Sequence, residues 1–133
     1  MRNAIVVAGA LIATLGVSVA GAHIAAYDSK VTLKDPHSVS PMKRGTLRYA
    51  GRVISDSPGC EKHRNVDLYR RAEGGDPVLL DSDESDADGR WRIDYKSNSP
   101  GNYYARVEKE TVGGSGHSHV CRADKSNVFV DTT

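Results

Sequence analysis

The sequence predicts an all-β fold, a seven-stranded antiparallel sandwich of two sheets that follows an N-terminal signal peptide. Three observations carry this reading. Apolar and polar residues alternate over short runs, the period of half-buried strands. Clusters of Gly, Pro, Asn, Asp and Ser separate the runs, as in small sandwiches. There is no internal repeat and no long stretch of helical period.

The first segment is MRNAIVVAGALIATLGVSVAGA. Arg2 supplies a positive start, residues 4–22 carry no charge, and the run closes on the small residues Ala20-Gly21-Ala22. These are the three parts of a secretory signal peptide, with cleavage after Ala22 or, nearby, after Ala26. An uncleaved membrane anchor is the competing reading. The apolar run of about 19 residues lies near the lower limit for a span, and its Ala and Gly content makes it only modestly hydrophobic. Residues 23–44 then read as a leader, a first strand near 30–34 and a loop, and residues 45–133 as the sandwich domain.

Along the mature chain, SKVTLK places Val31 and Leu33 on one face, and TLRYAGRVI aligns Leu47, Tyr49 and Val53. NVDLYRR sets Val66 and Leu68 against Asp67 and Tyr69, and PVLLDS is a short strand. RWRIDY puts Trp91, Ile93 and Tyr95 inside and Arg90, Arg92 and Asp94 outside. NYYARVEK aligns Tyr103, Ala105 and Val107, and SNVFVD puts Val128 and Val130 on one face. The glycine-rich stretch 112–119, VGGSGHSH, reads as the most flexible segment.

Composition narrows the function. Removing Arg2 with the leader leaves 17 basic and 17 acidic side chains. A neutral chain lacks the basic patch that nucleic acid requires. Charges of both signs are interspersed, so no membrane-binding face remains after cleavage. About 110 residues make one domain with one core. Two cysteines in an exported chain, Cys60 and Cys121, read as a disulfide. In the loop-entropy model a bridge of this span contributes about 4 kcal/mol.

The order GRV at 51–53, Cys60, RNVDLYR at 64–70, DADGRW at 86–91 and GNYYARV at 101–107 resembles the prealbumin-like, or more broadly Ig-like, sandwiches called carboxypeptidase-regulatory-like domains. These occur in secreted bacterial proteins, beside collagen-adhesin B-type relatives, and the resemblance covers about residues 45–131. It implies a non-catalytic module for support, adhesion or recognition. The chain departs from that pattern in carrying no enzyme for such a module to support. Some adhesin domains hold an internal Lys–Asn isopeptide bond, for which Lys30 or Lys34 and Asn127 are the residues to compare; alternation offers no inward carboxylate beside them.

The stretch SDESDADGRW raises a calcium loop, with Asp86 and Asp88 as the weak candidates. An EF-hand needs oxygen ligands at positions 1, 3 and 5, Gly at 6 and Glu at 12. Starting at Glu84 puts Tyr95 at position 12, and starting at Asp81 puts Asp86 at position 6. A hairpin with Asp88-Gly89 in its turn explains the same residues. His63, His117 and His119 beside the two cysteines raise a zinc site, which oxidation of the cysteines removes. No Gly-x-Ser-x-Gly elbow is present, and no nucleophile is readable beside the histidines, so no catalytic residue and no cofactor is expected. Tyr69 and Tyr104 fall on an outer face, where tyrosines anchor contacts.

The sequence therefore predicts a secreted, monomeric, disulfide-stapled module whose partner is a protein or polysaccharide at the cell surface. Its contact surface is either the end bearing His63, His117 and His119 or the face bearing Tyr69 and Tyr104; a carbohydrate-binding or weakly metal-binding domain is the alternative. N-terminal sequencing of the exported protein should begin near His23; recovery of residue 1 in a membrane fraction would reverse the localisation.

Overall fold

The computed structural model describes residues 23–40, 44–96, 99–113 and 116–132. The signal-peptide reading of residues 1–22 lies outside them. The described strands are β1 (His23–Tyr27), β2 (Ser29–Val31), β3 (His37–Ser38), β4 (Thr46–Ser55), β5 (Asn65–Arg71), β6 (Pro77–Glu84), β7 (Arg90–Lys96), β8 (Gly101–Val107), β9 (Glu110–Val112), β10 (His117–Cys121), β11 (Asp124–Lys125) and β12 (Phe129–Asp131).

The all-β sandwich is present. In one sheet β4 is central, with β2 and β3 along one edge and β7 along the other. In the second the order is β6-β5-β8, and β11 and β12 both pair with the far edge of β8. Their inner faces meet as the alternation requires. Val31, Leu33, Tyr49, Val53, Trp91 and Ile93 from the first sheet face Val66, Leu68, Tyr103, Ala105 and Val107 from the second. Tyr49 stacks on Tyr103 across the core, with ring centroids 5.4 Å apart. A Cβ at Gly51 would collide with the Thr32 carbonyl, so glycine is what lets β2 run close against β4.

Three local expectations change. Residues 23–29, read as a leader, supply β1, and much of 112–119, read as a flexible loop, is strand. These form a third, small sheet in the order β1-β10-β9. Within it β1 runs parallel to β10, with His23 opposite His117 and Tyr27 opposite Cys121. Neither segment alternates clearly, and long-range pairing overrides the local signal. At the C-terminus, Phe129 packs against the core while Val128 and Val130 are exposed.

Asn127 crosses between the sheets. Its Oδ1 accepts from Leu33 N–H at 3.1 Å and its Nδ2 donates to Leu33 O at 2.9 Å. Asp124 Oδ2 likewise accepts from Val31 N–H at 2.8 Å. The isopeptide comparison fails on placement: the Asn127 amide is engaged with backbone, and Lys30 and Lys34 are exposed.

Arg64, which precedes β5, is a cation only 1% exposed. Its Nη1 donates to Ser29 Oγ and Cys60 O, both at 2.9 Å, and its Nη2 to Glu108 O at 2.8 Å. Nε lies 3.3 Å from Glu110 Oε2. Burial lowers the pKa of the guanidinium, and Glu110 opposes that shift. Arg64→Met should destabilise the protein by about 3–5 kcal/mol in denaturant unfolding, since it strands buried carbonyls and Glu110. Arg122→Gln, which breaks the exposed 2.6 Å pair with Asp28, should change stability by less than about 1 kcal/mol.

Candidate functional site

At the end of β4 the chain enters a short helical turn at Pro58–Cys60, which sets the buried Cys60 beneath the surface. The sulfur bonds to Cys121 at the end of β10, with Cα atoms 5.3 Å apart. Cys121 faces inward, so His119 and His117, two and four residues earlier, fall on the same side of β10 by strand alternation. His63 follows the turn with a positive φ of 55°, a backbone state that non-glycine residues adopt only where neighbours hold it. The neighbour is Ser85. Its carbonyl accepts from His63 N–H at 2.9 Å, and its buried Oγ donates to Glu61 O at 2.6 Å while accepting from Arg64 N–H at 2.8 Å.

The three histidines line one cleft of about 510 Å³. Pro58 and Val112 supply apolar wall, and Ser57, Lys62 and Glu110 supply polar groups. His119 Nδ1 is 2.9 Å from Ser57 Oγ, and its ring packs 5.0 Å from the Tyr27 ring. His63 Nδ1 is 2.9 Å from Glu84 Oε1, an exposed pair. No local pattern signals a hydroxyl beside a histidine, because Ser57 and His119 are 62 residues apart. Both cysteine sulfurs are in the disulfide and unavailable as thiolates. Among the described residues no group of three or more His, Cys, Asp and Glu side chains converges as a metal would need.

The tyrosine face differs from its expectation. Tyr69 and Tyr104 lie directly opposite on β5 and β8, and their rings stack at 5.5 Å. Lys125 Nζ sits 4.1 Å from the centre of the Tyr104 ring. Covered from both sides, Tyr104 is 6% exposed, and Tyr69 alone of the pair offers surface. Desolvation, the largest cause, raises the Tyr69 phenol pKa.

The acidic stretch is the β6–β7 hairpin. Asp86 Oδ1 accepts from the N–H groups of Asp88 and Arg90, each at 2.9 Å, and Gly89 N–H donates to Asp86 O at 3.0 Å. Gly89 has φ +78°, and a Cβ there would strike the Val53 carbonyl. Asp83 Oδ2 accepts from Arg92 N–H at 2.7 Å, and Asp88 points at Arg90, 3.8 Å away. A second depression of about 530 Å³ lies on the adjoining sheet face, where Arg52, Arg90 and Arg92 meet these carboxylates. Arg52 there donates to Asp88 O at 2.9 Å.

No protein-family profile matches this chain, and no curated protein matches it.

The Arg90 and Asp88 N–H bonds, the Arg90 bond foremost, hold the Asp86 pKa below its ordinary 3.8. The ionised form therefore stabilises the fold above that value, and the contribution is lost as pH falls through the lower folded pKa. Asp86→Asn should melt below wild type at pH 7, with the gap closing in acid below pH 3.8. Calorimetric titration with calcium should give no tight binding; a micromolar dissociation constant lost in Asp86→Asn would overturn the turn assignment.

Proposed function

We propose that the protein is an exported, non-catalytic recognition module of the carboxypeptidase-regulatory-like type, which contacts a cell-surface partner through the cleft at its disulfide end. The observation that carries this reading is the convergence there of His63, His117 and His119 from two distant parts of the chain. The cleft is built on a rigid frame. The Cys60–Cys121 bridge closes its base, and Arg64 ties the same turn to Ser29 and Glu108. Preorganised walls lower the ordering cost of binding.

Two further facts support the reading. A buried disulfide suits an oxidising compartment, in keeping with export. Among the described residues, no helix is long and apolar enough to cross a membrane. The Ser57–His119 contact is the pairing that a nucleophile and base would make. Ser57, however, is only 4% exposed, so its hydroxyl orients the imidazole rather than meeting a substrate.

Retention on arrayed cell-wall polysaccharides and surface proteins should be lost in His117→Ala and kept in Tyr69→Ala. Loss only in Tyr69→Ala would move the contact to the sheet face. Turnover of a glycan, peptide or ester that survives repurification and disappears in Ser57→Ala would overturn the non-catalytic reading.

A further inference from the structure

The charges around the cleft name the chemistry of what enters it; this step rests on the cleft being the contact surface. Lys62 is exposed at the rim, and no ion pair engages it among the described residues. Glu110 is the carboxylate lining the cleft, and its Oε2 lies 3.3 Å from Nε of the buried Arg64, so its charge is already answered. Glu61, in the turn, accepts the Ser55 N–H at 3.0 Å through its Oε1. Glu84, on β6, is paired with His63. What remains presented is the Lys62 ammonium, the His117 imidazole and the second ring nitrogens of His63 and His119, beside the apolar Pro58 and Val112.

We propose that this cleft is a carboxylate-binding site that takes an acidic sugar residue of an anionic polysaccharide. A carboxylate on a hydroxylated ring answers each part of the lining. The anion meets Lys62 and the imidazole N–H groups through charge-assisted hydrogen bonds. The C–H surface of the ring packs on Pro58 and Val112. The volume of about 510 Å³ lies within the range of small-ligand sites.

The lining also sets a pH dependence. Imidazole gains its charge as pH falls between about 8 and 5. Affinity for a carboxylate therefore rises as pH falls through that window, and drops again where the ligand's own carboxylate protonates. Glu84 faces His63 from β6, and Glu110 lines the same cleft from β9.

The test compares oligogalacturonate with its methyl ester, the same ring without the charge, by calorimetry on the mature protein at pH 5.5 and 7.5. The acid should bind at least about tenfold more tightly at pH 5.5, the factor that one charge-assisted hydrogen bond supplies. The ester should bind weakly and without pH dependence. His117→Gln and Lys62→Gln, both exposed rim positions, should each weaken the acid by about tenfold, and His117→Gln should flatten the profile. Equal binding of acid and ester, both weakened in His117→Gln, overturns the carboxylate chemistry and leaves the recognition cleft standing. Absence of any sugar binding, with retention of a surface protein lost in His117→Gln, overturns the ligand class alone. Retention of every partner unchanged in His117→Gln overturns both readings.

Discussion

The buried guanidinium of Arg64 is the constraint on which this end of the molecule depends. A charge removed from water is tolerated only when its donors are matched, and each acceptor here comes from a different part of the chain. Ser29 belongs to the first sheet, Cys60 to the turn after β4, Glu108 to the end of β8, and Glu110 to the third sheet. One side chain thus fixes where three sheets meet. The disulfide acts at the same place by another route, restricting the unfolded chain and supplying no direction to the folded one. Because Arg64 bonds to the carbonyl of the bridged Cys60, the two are coupled, and their contributions do not add as independent sites would.

The acidic hairpin follows a related logic at the surface. Four carboxylates within six residues would repel in open loop, yet two of them are tied to backbone donors. Asp83 holds β6 to β7 through Arg92 N–H, and Asp86 closes the turn through the Asp88 and Arg90 N–H groups. Ser85, between them, faces inward and clamps the segment from Glu61 to Arg64. The hairpin that resembled an ion site is therefore a support for the cleft wall, reaching His63 through Ser85 and Glu84.

Much of this was legible from local pattern. The strands β4, β5, β7 and β8 bury the residues that period-two alternation assigns, because each has one face on the core. The pattern failed where partners are remote or register shifts. HIAAY has no alternating signal, and becomes a strand only because residues 117–121 lie beside it. The irregularity opposite Leu68 and Tyr69 leaves Leu80 against the core and Val78 and Leu79 exposed, a shift that no sequence period encodes. Nothing local in the sequence distinguishes the buried Arg64 from a solvated arginine. The cysteine pair and the three histidines were legible as types and as neighbours of one another; the serine that orients His119 was not.

The third sheet changes what the N-terminal residues mean. Tyr27 packs against the His119 ring, and Arg122 N–H donates to Tyr27 O at 3.0 Å, so β1 backs a wall of the cleft. Parallel pairing with β10 also places His23 opposite His117. Of the two cuts that the signal-peptide expectation allows, one after Ala22 would spare β1 whole, whereas one after Ala26 would remove four of its five residues. That loss would expose the free edge of β10 and leave backbone groups from His117 to Val120 without their partners on that side. The strand carrying two of the three histidines would then keep β9, the disulfide and the Ser57–His119 contact as its ties among the described residues. The five-residue ladder between β1 and β10 thus ties the chain from His23 onward to the shape of the cleft.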